Sequence, residues 1–275
     1  IAAIGELVTN VKVGDRVTMG SSACGTCRAC LRGEDKGCVE HFLNFSLKGG
    51  FYGPGGFAEY KVHRSDGVFN VGDAPWDQAA LAEPLSCAIH AARLLGARLG
   101  DTAVVFGAGT MGLLNLMVLK MSGLRVGVVD VNEGRLAKAK TLGADVILRS
   151  GTDIRDRVKA AFLGGVDYSI AAYGSEEVNQ DALDVLNARG KICLFASAHP
   201  VTPFSIDPNL MHNRETSAVG VVSADRRDHA VATNLIATGQ IDLSPIIDAT
   251  FPILDAAEAF HRATSAPSYR VMLNP

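Results

Sequence analysis

The chain has 275 residues, 48% of them hydrophobic and 20% charged, enough for one large domain or two ordinary ones with cores of their own. A net charge of −3 and a pI near 6.2 remove any electrostatic case for nucleic acid or an anionic membrane as partner. Apolar runs such as residues 103–106 and 192–198 fall far short of the ~20 residues of a membrane span, and the opening Ile-Ala-Ala-Ile-Gly-Glu has no signal-peptide pattern.

Residues 1–4 read as the middle of a strand and lead into the turn Lys12-Val13-Gly14-Asp15-Arg16-Val17, so further sequence is expected upstream of Ile1. Residues 16–19 read as a strand, and residues 56–62 alternate as a half-buried one. The turn-rich Gly72-Asp73-Ala74-Pro75 closes this section, and a helix starts near Glu83-Pro84, with proline tolerated in a first turn. From Asp101 strands and helices alternate. Strands are expected over 103–106, 126–129, 146–148, 168–172 and 192–196, with helices over 111–121, 132–142, 154–162 and 176–188. This alternation predicts a parallel sheet covered on both faces. Helices over 228–238 and 254–264 and a strand over 269–273 complete the chain.

Gly107-Ala108-Gly109-Thr110-Met111-Gly112 is G-x-G-x-x-G set between a strand and a helix, the context that a dinucleotide site requires. Gly107 allows the tight turn, Gly109 lets a pyrophosphate approach the backbone, and Gly112 permits close packing of helix on strand. Thr110 and Met111 open the helix whose N–H groups meet the phosphates. Asp130 ends the next strand, where its carboxylate can accept hydrogen bonds from adenosine ribose hydroxyls and repel a 2′-phosphate, which favours NAD over NADP. Arg135 is a candidate adenosine neighbour, though a solvated helix face explains it equally well. The competing account is a glycine-rich turn without a ligand.

Cys24, Cys27, Cys30 and Cys38 form a C-x2-C-x2-C-x7-C run. Four soft thiolates at this spacing suit one tetrahedral zinc with no position open for substrate, hence a structural site. Clustered thiols without a targeting segment fit a reducing cytoplasm, where disulfides are the weaker alternative. Arg28, Arg32 and Lys36 lie between the ligands and can offset their charge.

With Gly14-Asp15-Arg16-Val17, Gly56-Phe57-Ala58-Glu59-Tyr60, Glu83-Pro84-Leu85 and Leu142-Gly143-Ala144-Asp145, these motifs make the chain resemble the medium-chain, zinc-dependent alcohol and polyol dehydrogenases, sorbitol dehydrogenase-like, over essentially its whole length. The resemblance implies a GroES-like β-rich catalytic domain over 1–84, incomplete at its N-terminus and carrying the zinc lobe 24–38. It implies a Rossmann doubly wound coenzyme domain over 85–222 and a C-terminal return over 223–275. It also implies oxidation of a secondary alcohol, a polyol or sugar alcohol, with hydride transfer to NAD, in a cytoplasmic homodimer or homotetramer.

In that family a second, catalytic zinc takes Glu83 as ligand, together with a cysteine and a His-Glu pair that would fall before Ile1. Helix capping is the plainer role for Glu83. The resemblance further implies an adenosine contact at Ala172 and nicotinamide contacts at Phe195, Ala196 and Val221, although Ala171-Ala172-Tyr173-Gly174 stands where the family usually carries an acidic and a small polar residue. His41, with Phe42 and Phe45, is a candidate cleft residue, and His90, Cys87 and Cys193 read as structural. A non-catalytic NAD-binding descendant is the main alternative. Zinc-free enoyl or quinone reduction is disfavoured by the cysteines and Glu83.

Overall fold

The computed structural model describes residues 1–40, the backbone of 46–47 and 51–52, and residues 58–265 and 268–274. Contacts divide the chain into two units, Ile1–Cys87 with Ser223–Pro275, and Ala88–Val222.

The first unit opens with β1 (Val17–Met19), α1 (Arg28–Leu31), β2 (Ser46–Leu47), β3 (Phe51–Tyr52), β4 (Val68–Asn70) and α2 (Trp76–Ala79). Gly14, at φ +92°, makes the turn that aims the chain into β1. β1 then pairs antiparallel with β4, Val17 opposite Asn70 and Met19 opposite Val68, and β2 pairs antiparallel with β3. The Arg16 guanidinium lies 4.0 Å above the Trp76 ring and donates to the Ala74 carbonyl at 2.7 Å, tying β1 to α2. Helix α3 (Ala82–Leu95) carries the chain from the first unit into the second.

The second unit alternates β5 (Thr102–Phe106), α4 (Thr110–Met121), β6 (Arg125–Asp130), α5 (Glu133–Thr141), β7 (Val146–Arg149), α6 (Ile154–Ala161), β8 (Val166–Ala171), α7 (Glu176–Asp184), β9 (Leu186–Leu194), α8 (Pro208–Arg214) and β10 (Ser217–Gly220). Its six strands are all parallel, in the order β10-β9-β8-β5-β6-β7. That is the doubly wound Rossmann order, with the direction of winding reversing between β5 and β8. Apolar runs such as Ala103, Val104, Val105 and Phe106 are buried because helices cover both faces of the sheet. Val104, Phe106, Val129, Val158, Phe162, Val166 and Ile192 form one continuous core.

The chain re-enters the first unit through α9 (Arg226–Ala237), β11 (Ile247–Pro252), α10 (Ala256–Ser265) and β12 (Arg270–Asn274), with β11 and β12 parallel. α9 packs beside β1, where the Thr18 hydroxyl lies 3.1 Å from His229 Nε2 and 2.8 Å from the Thr233 hydroxyl. No helix among the described residues is long and apolar enough to cross a membrane.

Several sequence expectations need correction. Residues 1–4 form no strand: Ile1 donates to the Asp15 carbonyl at 2.6 Å and accepts from Gly14 at 2.9 Å, but no ladder continues from that pair. Residues 58–62 are bends and coil because no neighbouring strand pairs with them among the described residues, and Gly56 and Phe57 lie outside those residues. The helix expected over 176–188 stops at Asp184, since Leu186 already pairs with Val166 of β8 and begins β9. Ala196 lies past the end of β9.

Candidate functional site

The dinucleotide motif occupies the C-terminal edge of the sheet at the winding reversal. Gly107 follows β5 at φ +104°, and a side chain on it would touch the Ala172 carbonyl and Tyr173 beyond β8, 3.4–3.5 Å away. A Cβ on Gly112 would lie 1.8 Å from the Gly107 carbonyl oxygen, so only glycine lets α4 pack this closely on the loop. Gly109 differs. Its backbone is extended (φ −73°, ψ −177°) and a Cβ there would meet nothing within 4 Å. The space beside Gly109, at the start of α4, is an open cradle bordered by Thr110 and Met111, and it fits an anionic pyrophosphate.

Asp130 ends β6 beside that cradle and is buried, 8% exposed. Its Oδ2 accepts from the Ala108 amide at 2.6 Å and its Oδ1 from the Asn132 amide at 2.8 Å. Each carboxylate oxygen keeps a second lone pair, so the group is rigidly aimed and can still accept from ligand hydroxyls. Asn132 caps α5 by accepting from the Arg135 amide at 3.0 Å, which puts half-buried Arg135 in the first turn of that helix. Ala172 donates to the Phe106 carbonyl at 2.9 Å, Ala196 to Ala171 at 3.0 Å, and Val221 to Leu194 at 3.2 Å. Ala172, Phe195, Ala196 and Val221 thus follow the ends of β8, β9 and β10 on the same edge as the glycine loop. A Cβ on Gly174 would meet the Ser197 carbonyl at 2.3 Å, so the unusual Ala172-Tyr173-Gly174 run is closely packed on the neighbouring loop.

In the first unit Cys24, Cys27, Cys30 and Cys38 converge, every sulfur within 4.8 Å of the others. The Cys24 and Cys30 sulfurs are 3.8 Å apart, and those of Cys27 and Cys30 are 3.5 Å apart. Tetrahedral zinc with bonds of ~2.3 Å sets its sulfurs about 3.8 Å apart, so the cluster fits one zinc and leaves no open position. Backbone amides prepare it: Cys27 donates to the Cys24 sulfur at 3.3 Å, while Cys24 and Glu40 donate to the Cys38 sulfur at 3.3 and 3.4 Å. The Cys24 thiol is pushed down to about 6, first by the Thr26 backbone amide and then by the Thr26 hydroxyl. Cys27 is lowered, chiefly by hydrogen bonding at the Cys30 backbone. Cys30 is pushed up to about 12 by burial, and a bound cation reverses that by taking the thiolate directly.

Residues invisible to sequence motifs surround this lobe. The Arg226 guanidinium donates to both oxygens of Asp35, at 3.1 and 3.2 Å, and to Asp66 at 2.9 Å. Its pKa is raised, first by the Asp35 hydrogen bonds, with Asp66 and Cys30 among the further contributors. Only the charged run Asp225-Arg226-Arg227-Asp228 marks this arginine in the sequence, and nothing there points to the cysteines.

Glu83 lies exposed in the first turn of α3. Its carboxylate accepts from the Cys87 sulfur at 3.6 Å, and its carbonyl accepts from the Ser86 hydroxyl at 2.6 Å. Cys87 is pushed up to about 12 by burial and then by the Glu83 charge, which makes it a protonated neighbour at neutral pH. Glu83 joins no cluster of three metal-capable donors among the described residues. His90 Nδ1 is 2.7 Å from the Arg93 guanidinium of the same helix, and Cys193 is fully buried in β9 with its thiol pushed up to about 12 by burial. His41, Phe42 and Phe45 lie outside the described residues.

A switch-point glycine loop in one unit and a closed four-thiolate lobe in the other describe a zinc-containing, dinucleotide-dependent oxidoreductase. Comparisons with known proteins narrow that class. Residues 110–238 match the family model for zinc-binding dehydrogenases, and residues 1–73 match that for the alcohol dehydrogenase GroES-like domain. L-idonate 5-dehydrogenase of Vitis vinifera is 31% identical over 290 residues, covering 100% of this chain and 76% of the relative. L-threonine 3-dehydrogenase of Coxiella burnetii is 32% identical over 282 residues, covering 100% and 79%. The crystal structure of a zinc-binding dehydrogenase from Sinorhizobium meliloti bound to NADP shares the fold, with TM-score 0.82 and 24% identity over 100% of this chain and 81% of that one. The chain belongs to the zinc-dependent medium-chain alcohol and polyol dehydrogenase family. It is an alcohol dehydrogenase-type oxidoreductase that uses zinc and a nicotinamide cofactor on small-molecule alcohols.

Proposed function

We propose that this protein oxidises a secondary alcohol of the polyol or sugar-alcohol class and that its coenzyme is NAD. The observation that carries the coenzyme choice is Asp130, a buried carboxylate held by two backbone amides beside the glycine loop. Ribose hydroxyls donate to such a group, whereas a 2′-phosphate would meet its negative charge in a poorly solvated position. The NADP-bound Sinorhizobium meliloti structure is the opposing precedent. For the substrate, the Vitis vinifera relative named for L-idonate supports a polyhydroxylated alcohol, and the Coxiella burnetii relative named for L-threonine supplies the competing candidate.

In this proposal the start of α4 binds the pyrophosphate, with Gly109 supplying closeness and Gly107 and Gly112 supplying the shape of the loop. Thr110 and Met111 border the phosphates, Asp130 orients the adenosine ribose, and Arg135 flanks the adenine end. Ala172 lies on the adenosine side, while Phe195, Ala196 and Val221 line the nicotinamide side and exclude water. Bound nicotinamide supplies the hydride acceptor. Cys24, Cys27, Cys30 and Cys38 hold a structural zinc that keeps their lobe folded. Glu83 is assigned the electrostatic role of the alcohol site.

We extend the proposal to a homodimer or homotetramer, which the edge position of β10 supports, and to the cytoplasm, where reduced zinc-binding thiols persist. Binding titrations with NAD and NADP, followed by zinc analysis and assays of reduced nicotinamide with sorbitol, idonate and threonine, test it. NAD binding at least tenfold tighter than NADP, with turnover of a polyol, is the expected result; preference for NADP, or turnover of threonine alone, would overturn it.

A further inference from the structure

The zinc lobe has almost no packing of its own. Between Cys24 and Glu40 its regular structure is the single turn α1 and the 3-10 turn Asp35–Gly37, and its buried residues are Asp35 and Cys38. A loop this exposed cannot be held in place by apolar burial, and one of its two buried anchors is a charged side chain. What surrounds that charge decides how the loop is ordered.

The charge is met from α9. Arg226 grips the Asp35 carboxylate in a two-pronged hydrogen bond, three residues before Cys38, and its third nitrogen reaches Asp66. Asp66 in turn accepts from the Ala23 amide at 3.4 Å, directly before Cys24, while Arg64 donates to the Ala23 carbonyl at 3.0 Å and to Asp66 at 3.1 Å. Asp225, the N-cap of α9, accepts from the Lys36 amide at 3.0 Å. One guanidinium therefore joins the entry and the exit of the metal loop through two carboxylates. Its positive charge also interacts with Cys30 and so opposes the net negative charge that four thiolates leave on a divalent zinc.

We propose that Arg226 and Asp225 are positioning residues of the zinc lobe, a clamp from α9 that fixes the Cys24 and Cys38 ends of the loop at metal-binding spacing. The inference rests on the reading of the four cysteines as a zinc site. Outer-shell partners of this kind govern metal affinity by about 10–100-fold. A planar fork with fixed spacing is required, because a lysine ammonium cannot bridge Asp35 with two nitrogens and reach Asp66 with a third.

The test uses the purified full chain with its native zinc, and with cobalt in its place. Zinc affinity is measured by competition with a chromophoric chelator for wild type, Arg226→Gln, Arg226→Lys, Asp35→Asn, the Arg226→Gln/Asp35→Asn pair and Cys38→Ser. NAD binding reports that the chain remains folded, and the thiolate-to-cobalt absorption band reports the geometry of the site. Arg226→Gln is expected to weaken zinc binding 10–100-fold and to diminish the cobalt band, with Arg226→Lys recovering only part of the loss. The double variant is expected to match Arg226→Gln, because Asp35 acts through that arginine. Wild-type affinity in Arg226→Gln, full recovery by Arg226→Lys, or additive losses in the double variant would each overturn the clamp. Should Cys38→Ser hold as much zinc as wild type, the zinc-lobe reading itself fails, and the clamp with it.

Discussion

Gly109 caps α4 and Gly112 sits in its first turn, three positions on, yet the structure assigns alanine at the two sites opposite consequences. At Gly112 a new Cβ would lie 1.8 Å from the Gly107 carbonyl oxygen and 2.9 Å from its carbon, both backbone atoms that no rotamer can move aside. The loop or α4 must shift, at a cost of ~3 kcal/mol or more, which lowers the melting temperature by roughly 6–12 °C. At Gly109 the methyl group would enter open space on an extended backbone, so Gly109→Ala is expected to change stability by no more than about 1 kcal/mol. The same methyl occupies the approach of the pyrophosphate, and NAD affinity is expected to fall at least tenfold, ~1.4 kcal/mol. Urea unfolding and calorimetric NAD titration of both variants separate the two effects. Unchanged NAD affinity in Gly109→Ala would refute the cradle, and wild-type stability in Gly112→Ala would refute the packing argument.

Three further outcomes follow from the same geometry. Asp130→Asn keeps an acceptor for the Ala108 amide but loses the charge, so the preference for NAD over NADP should shrink by about tenfold or more in binding titrations; an unaltered ratio would show that the carboxylate does not set it. His229 is buried and its pKa is pushed down from 6.5 to about 4 by burial. The unfolded chain therefore takes up a proton as pH falls through 6.5 while the folded chain does not, and up to ~3 kcal/mol of stability is lost between pH 6.5 and 4. His229→Gln should flatten that part of the profile relative to wild type in pH-dependent unfolding, and identical slopes would contradict it. Removing zinc with a strong chelator should unfold the cysteine lobe, exposing four thiols to a thiol reagent and changing far-UV circular dichroism little, since α1 and the 3-10 turn are short; protection of the thiols without metal would count against the site.

What could be read in the sequence was local in the chain. The cysteine spacing specifies a metal site because all four ligands fall within one short loop, and Gly107 to Gly112 specify a turn between adjacent elements. Asp130 was legible for the same reason, standing at the end of the strand that follows. Contacts formed across long separations left no trace. Arg226 meets Asp35 from 191 positions away and Asp66 from 160, and a charged run at a helix start looks the same whether it faces solvent or a buried carboxylate. The apolar pattern of α7 runs on past Leu186 and by itself predicts helix there; the pairing of Leu186 with β8, a tertiary event, ends that helix at Asp184. Residues 1–4 have strand composition but pair with no strand among the described residues, and composition alone does not supply a partner.

The central claim, an NAD-dependent dehydrogenase of polyols built on this glycine loop and zinc lobe, is tested most directly by one assay. The purified, zinc-analysed protein is supplied with a sugar alcohol and either NAD or NADP, and formation of the reduced coenzyme is followed. The account predicts reduction of NAD, weak or no reduction of NADP, and loss of the reaction in Glu83→Gln with NAD binding retained. Tight NAD binding without reduction by any polyol, in protein whose metal content is complete, would contradict it.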